Sequence, residues 1–215
     1  MKHQISLLFL FLATISFAQD VRLTAVFLTR RPSDNRDKAE IQALENEHLR
    51  SIGRLSENGI LLNGGPLEGG MELLILNTIN RKDTEKVLAE DPAQNLYNAE
   101  ILSFELRYGE ICQPELPYEM KTYSLIRYLP KNQIASFKSN SDYDMRSSHD
   151  AHIKLLISSG QVIAEGVFGD YDGGIIIYQK DAINKTIQND PAIVEGYLTA
   201  DQYTIWLNKG SFCIK

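Results

Sequence analysis

The stretch His48-Leu-Arg-Ser-Ile-Gly-Arg-Leu-Ser-Glu-Asn-Gly59-Ile-Leu-Leu-Asn-Gly-Gly-Pro66 decides the fold. Ile41, Leu44, Ile52 and Leu55 fall at helical spacing, and His48 shares their face. Gly59 is a natural helix stop, since glycine takes the left-handed conformation cheaply. Ile60-Leu-Leu then reads as a buried strand. The pattern returns in the second half as His149-Asp-Ala-His-Ile-Lys-Leu-Leu-Ile-Ser-Ser-Gly160-Gln-Val-Ile-Ala-Glu-Gly166, with the same spacing from histidine to glycine.

Outward from the first copy, residues 22–29 read as a strand and 37–58 as a long helix. Residues 64–70, rich in glycine, read as a hairpin loop. They lack the lysine and following helix of a phosphate-binding loop. Residues 71–76 form a strand, Asn80 caps a short helix, Asp91-Pro92 ends it, and 100–108 are a fourth strand. The second half repeats the order: strand 122–129, helix 145–159, strands 161–168 and 175–179, helix 181–189, Asp190-Pro191, and strand 202–208. Each half is therefore β-α-β-β-α-β, the ferredoxin-like arrangement, with two helices on one sheet face. The bare apolar face needs a partner. The expected fold is α+β: two tandem ferredoxin-like domains packed sheet to sheet as a pseudo-dimeric α+β barrel. The expected boundaries are a signal peptide over 1–18, domains over 19–112 and 121–215, and a proline-containing linker over 113–120.

The start of the chain sets the compartment. Lys2 and His3 precede an apolar run, and Ser16-Phe17-Ala18 matches a small-x-small cleavage site. The expected destination is secreted or periplasmic. No later stretch is apolar enough to span a bilayer. The formal charge is −6, or −7 without Lys2, so nucleic acid and anionic membrane surfaces are not expected partners. Cys112 and Cys213 each end a similar motif, Gly109-Glu-Ile-Cys112 and Gly210-Ser-Phe-Cys213. They either form a bridge or stay as two buried thiols.

Both halves carry a histidine on the apolar helix face and an Asp-Pro after the second helix: His48 with Asp91, His149 with Asp190. A carboxylate on one ring nitrogen fixes the tautomer and leaves the other nitrogen as a general base. That is proton-abstraction chemistry. The bland reading makes each pair a satisfied core histidine. No G-x-S-x-G elbow, H-E-x-x-H or paired-cysteine motif occurs, so neither a serine triad nor a metal is expected.

His48, Gly59, Gly65-Pro66, Gly69-Gly70 and Asp91-Pro92 resemble the YCII-related family. His149, Gly160, Gly166, Gly173-Gly174 and Asp190-Pro191 form a more divergent second copy. The resemblance implies a dimeric α+β barrel without metal or organic cofactor, and a His-Asp site at His48 and Asp91 and at His149 and Asp190. One branch of that family resembles a dehydrochlorinase, which is the same class of chemistry. Fold alone does not transfer the reaction. This chain departs from the family at Ala93 and Ala192, where an aromatic residue usually follows the Asp-Pro. It departs again at Glu165 and Val167, which replace Gly64 and Pro66 of the first copy. Two functions follow: a cofactor-independent lyase or isomerase of a small molecule, or a non-catalytic periplasmic binding or structural module. The intact family-like loop favours the His48 copy as the working site. Oligomerisation beyond the intramolecular pseudo-dimer stays open.

Overall fold

The computed structural model describes residues 23–32, 36–114, 116–131, 140–169, 173–179 and 187–214. The signal peptide, most of the loop after Pro130 and most of the helix expected over 181–189 lie outside them. The first half runs β1 (Leu23–Arg30), α1 (Lys38–Glu57), β2 (Leu61–Leu67), β3 (Met71–Leu76), α2 (Arg81–Ala89), a 3-10 turn (Gln94–Leu96), β4 (Tyr97–Tyr108) and a two-residue β5 (Glu110–Ile111). The second runs β6 (Met120–Pro130), α3 (Asn140–Ser158), β7 (Val162–Phe168), β8 (Gly174–Gln179), α4 (Pro191–Val194), β9 (Leu198–Asn208) and β10 (Phe212–Cys213).

Eight strands close into one antiparallel barrel in the order β1-β3-β2-β9-β6-β8-β7-β4. The two sets of four do not stay as stacked sheets. They join at their edges, along β4 and β7 and, more narrowly, at Leu67↔Ile205 between β2 and β9. Side chains alternate across each strand. In β1, Leu23, Ala25 and Phe27 point into the barrel, while Val26 and Leu28 pack under the helices. The lumen cluster draws on both halves, with Leu73, Ile75 and Phe104 beside Leu125, Ile177 and Ile205. Outside the barrel, Ile52 and Leu88 cover the first half, and Ile153 and Ala192 the second. This two-sided burial explains why the strands read as continuous apolar runs.

Two local readings change. Gly64, Gly65 and Pro66 are strand, not loop, and the turn is confined to Glu68–Gly70. The reason is close approach. A Cβ at Gly64 would lie 2.3 Å from the Leu73 carbonyl oxygen, and one at Gly65 would lie 2.0 Å from that of Trp206. Glycine here lets three strands meet. Gly65→Ala is expected to cost about 1–3 kcal/mol by overpacking; an unchanged urea midpoint would refute this. Second, Asp190-Pro191 starts a separate helical turn: Pro191 opens α4, with Asp190 as its N-cap.

Cys112 and Cys213 form a disulfide, with Cα atoms 6.0 Å apart. It ties the β5–β10 ribbon, in which Phe212 pairs with Ile111 and Cys213 with Glu110. The bridge therefore joins the end of the first half to the end of the second.

Candidate functional site

Both predicted pairs are in contact. α1 is weakly amphipathic; His48 and Ser51 are its only buried residues among those described. His48 Nδ1 donates to Asp91 Oδ2 at 2.5 Å. Asp91 Oδ1 accepts from the Ala93 N–H at 2.8 Å, which fixes the carboxylate. In the second half His149 Nδ1 lies 2.8 Å from Asp190 Oδ2 and 3.0 Å from Oδ1. Asp190, fully buried, also accepts from the Ala192 N–H at 2.9 Å. The Asp-Pro motif thus has a local use. The carboxylate caps the following turn while its other face meets the histidine.

The two sites differ in what meets the second ring nitrogen. His48 Nε2 donates to Glu72 Oε2 at 2.8 Å. The Tyr97 ring covers it, centroids 5.0 Å apart. Burial pulls this imidazole's pKa down, but the hydrogen bonds and charges of Asp91 and Glu72 outweigh it and raise it to about 9. At neutral pH His48 is an imidazolium with both N–H groups engaged. Burial raises the Asp91 carboxyl, while the His48 hydrogen bond and the Ala93 N–H lower it further, so the net direction is down.

His149 keeps its second nitrogen. Among the described residues no hydrogen bond reaches Nε2, and the side chain, 16% exposed, lines a cavity of about 30 Å³. That volume holds a water or the reacting end of a ligand. Strand register explains the difference. Glu72 lies opposite Leu28 in β1 and Pro66 in β2; Gly174 lies opposite Tyr128 in β6 and Val167 in β7. Gly174 is therefore the counterpart of Glu72, and the carboxylate that fills the first site has no equivalent in the second. Gly166 and Gly173 line the same cavity.

Around His149, Glu165 is buried, but its charge is taken by Arg107, whose Nη2 donates to Oε1 at 2.6 Å. Arg107 also pairs with Asp150 at 3.4 Å. Tyr128 packs edge-on to His149, with centroids 5.1 Å apart. Its hydroxyl is buried without a hydrogen-bond partner of normal geometry, and burial followed by the Asp190 charge pushes its pKa well up. Burial raises the Asp190 carboxyl, but the His149 hydrogen bond and charge and the Ala192 N–H bring it down overall. Sequence reading missed Glu72, Arg107 and Tyr128. Glu72 carried a signal: it is the one charge in Met71-Glu-Leu-Leu-Ile-Leu. Arg107 and Tyr128 carried none, since they reach the site from other strands.

The fold and these contacts define an α+β barrel with one filled and one open histidine–aspartate site. No family model matches the chain, and no curated protein does. Solved structures do share the architecture. A candidate monooxygenase from Fusobacterium nucleatum subsp. nucleatum aligns over 91% of this chain and 95% of its own, at 8% identity and a TM-score of 0.50. A haem-binding protein from Thermus thermophilus aligns over 87% of this chain and 91% of its own, at 12% identity and a TM-score of 0.50. At these identities the likeness is one of fold. No helix among the described residues is long and apolar enough to cross a membrane.

Proposed function

We propose that this is an exported, cofactor-independent protein of two tandem YCII-like units that binds a small molecule at His149–Asp190. Its reaction is proton abstraction, of the lyase or isomerase class. The observation that carries the reading is the open Nε2 of His149, on a ring oriented through Nδ1 by a buried carboxylate and facing a cavity. Nε2 takes the proton; Asp190 stabilises the imidazolium that forms. His48–Asp91–Glu72 is then the structural copy, so the working site is the more divergent one. The duplication is supported by matching strand orders, β4-β1-β3-β2 and β9-β6-β8-β7. Export is supported by the leader-like start and by the Cys112–Cys213 bridge, which belongs to an oxidising compartment.

Neither histidine–aspartate site, as formed by the described residues, has room for haem: His48 has both nitrogens on carboxylates, and the cavity at His149 is about 30 Å³. The second reading is a binding module without turnover at the same cavity. A small-molecule library screened by thermal shift tests the site. Compounds should stabilise wild type and not His149→Ala, each shift being read against that protein's own unliganded midpoint, because removing the ring leaves the fully buried Asp190 carboxylate unpaired and lowers the melting temperature by itself. If every stabilising compound acts equally on both proteins, the His149 site is wrong. Turnover of any hit by wild type separates the enzyme from the binding module.

A further inference from the structure

The two halves also differ beneath their helices, around the aspartate rather than the histidine. On the outer face of β1 and β3, Val26 pairs with Leu74, and Leu28 and Leu76 flank that pair. On the outer face of β6 and β8, Ile126 pairs with Ile176, and the flanking side chains are Tyr128 and Tyr178. Register makes Tyr128 the counterpart of Leu28 and Tyr178 the counterpart of Leu76. Two leucines of the first half are thus two phenols in the second. The cluster that holds both rings also contains Ala192, whose N–H donates to Asp190.

A hydroxyl inside an apolar cluster is unfavourable unless something accepts its proton. Both hydroxyls are buried, and neither has a hydrogen-bond partner of normal geometry. The charged acceptor they share is the fully buried Asp190 carboxylate. Burial first, then its charge, pushes both phenols well above their ordinary value, and Tyr128 is close enough for a weak hydrogen bond to it. Both phenols therefore stay protonated and can donate. A carboxylate has about four acceptor positions. His149 Nδ1–H and the Ala192 N–H leave room on Asp190 for them.

We propose that Tyr128 and Tyr178 are positioning residues that donate to Asp190, hold part of its charge and leave His149 a neutral base. The proposal rests on the reading of His149–Asp190 as the working site. A carboxylate that already accepts phenol protons stabilises an imidazolium less. In the first half the matching leucines donate nothing, and Glu72 brings His48 a second carboxylate. The loss of that glutamate and the gain of two phenols act in one direction: one imidazole is held charged, the other is kept ready to take a proton. The remaining charged groups around His149 are separate from the phenols. Glu165 of β7 pairs with Arg107 of β4, which also reaches Asp150 of α3. Arg146 lines the cavity and His152 acts on Asp190, both from α3.

Histidine ring-nitrogen NMR on the full oxidised protein reads the protonation of His149 without any ligand, its signals being assigned by their loss in His149→Gln. At a fixed pH where both forms are seen, Tyr128→Phe should raise the ratio of imidazolium to imidazole at His149 about fivefold. Tyr178→Phe should raise it in the same direction. Each variant keeps the ring and removes only the oxygen. The His48 signals should stay where they are, which separates an effect through Asp190 from a general loosening of the barrel. A packing role alone would change the melting temperature and leave the ratio as it was. An unchanged or lower ratio in either variant overturns the proposal, and the ligand screen on His149→Ala then stands on its own. A raised ratio with no ligand found removes the binding reading and keeps the positioning role.

Discussion

Replacing both Cys112 and Cys213 by serine should lower the melting temperature by about 10–20 °C under oxidising conditions. The bridge links residues 101 apart in sequence. In the chain-entropy account a loop near that length restricts the unfolded state by about 4–5 kcal/mol. For a chain of this size each kcal/mol moves the midpoint by about 2–4 °C. The location adds to the effect. The β5–β10 ribbon holds the ends of the two halves beside the seam where β2 and β9 pair at a single position. Without the bridge, that weak seam is what remains to keep the barrel closed on this side. The double variant is the right one, because a single serine leaves a thiol free to pair between molecules. Calorimetry checks the shift. Mass measurement with and without reduction before alkylation checks the bridge itself, and two free thiols in the native protein would remove the premise.

Much of the architecture is legible in the sequence, for a physical reason. Helix periodicity, glycine stops and the repeat are local, and they survive in His48–Gly59 and His149–Gly160. Strands apolar on both faces announce that both faces are covered, which a closed barrel with outer helices satisfies. What local reading cannot carry is contact between strands distant in sequence. Gly64 and Gly65 look like turn residues until Leu73 and Trp206 are seen to crowd them. The site shows the same division. The histidine–aspartate contacts follow from two motifs repeated in register. The choice between the copies does not, because it turns on Glu72 against Gly174, a pairing fixed only by β3 and β8 register. In the sequence the intact Gly-Pro loop favours the His48 copy, whereas the proposal for His149 rests on what meets the second ring nitrogen. That loop reports seam geometry at β2, and says nothing of the ring nitrogen.

His48→Gln should destabilise the protein by about 3–5 kcal/mol, the cost of leaving buried carboxylates without their cation. Asp91 and Glu72 both remain, with side chains 12% and 18% exposed. Their repulsion adds to the lost hydrogen bonds. The pH dependence is the sharper signature. The His48 pKa is raised from 6.5 to about 9 in the folded protein. The unfolded chain therefore gives up its proton first as pH rises. The stabilisation from His48 is fully present below pH 6.5 and is lost as pH climbs through about 9. At 1.36 kcal/mol per pKa unit this window is worth about 3 kcal/mol, an order-of-magnitude figure. The acid side has the opposite sign. Asp91 has a lowered pKa, so its contribution is present above its ordinary value of 3.8 and fades as pH falls through the folded pKa. The triad is accordingly strongest between the ordinary carboxylate and imidazole values. Urea unfolding across the span from pH 6.5 to beyond pH 9 should show the wild-type advantage over His48→Gln shrinking by about 3 kcal/mol. A constant advantage across that range would mean that His48 is not a buried imidazolium. It would then be free to act as a base, and the assignment of the two copies would reverse.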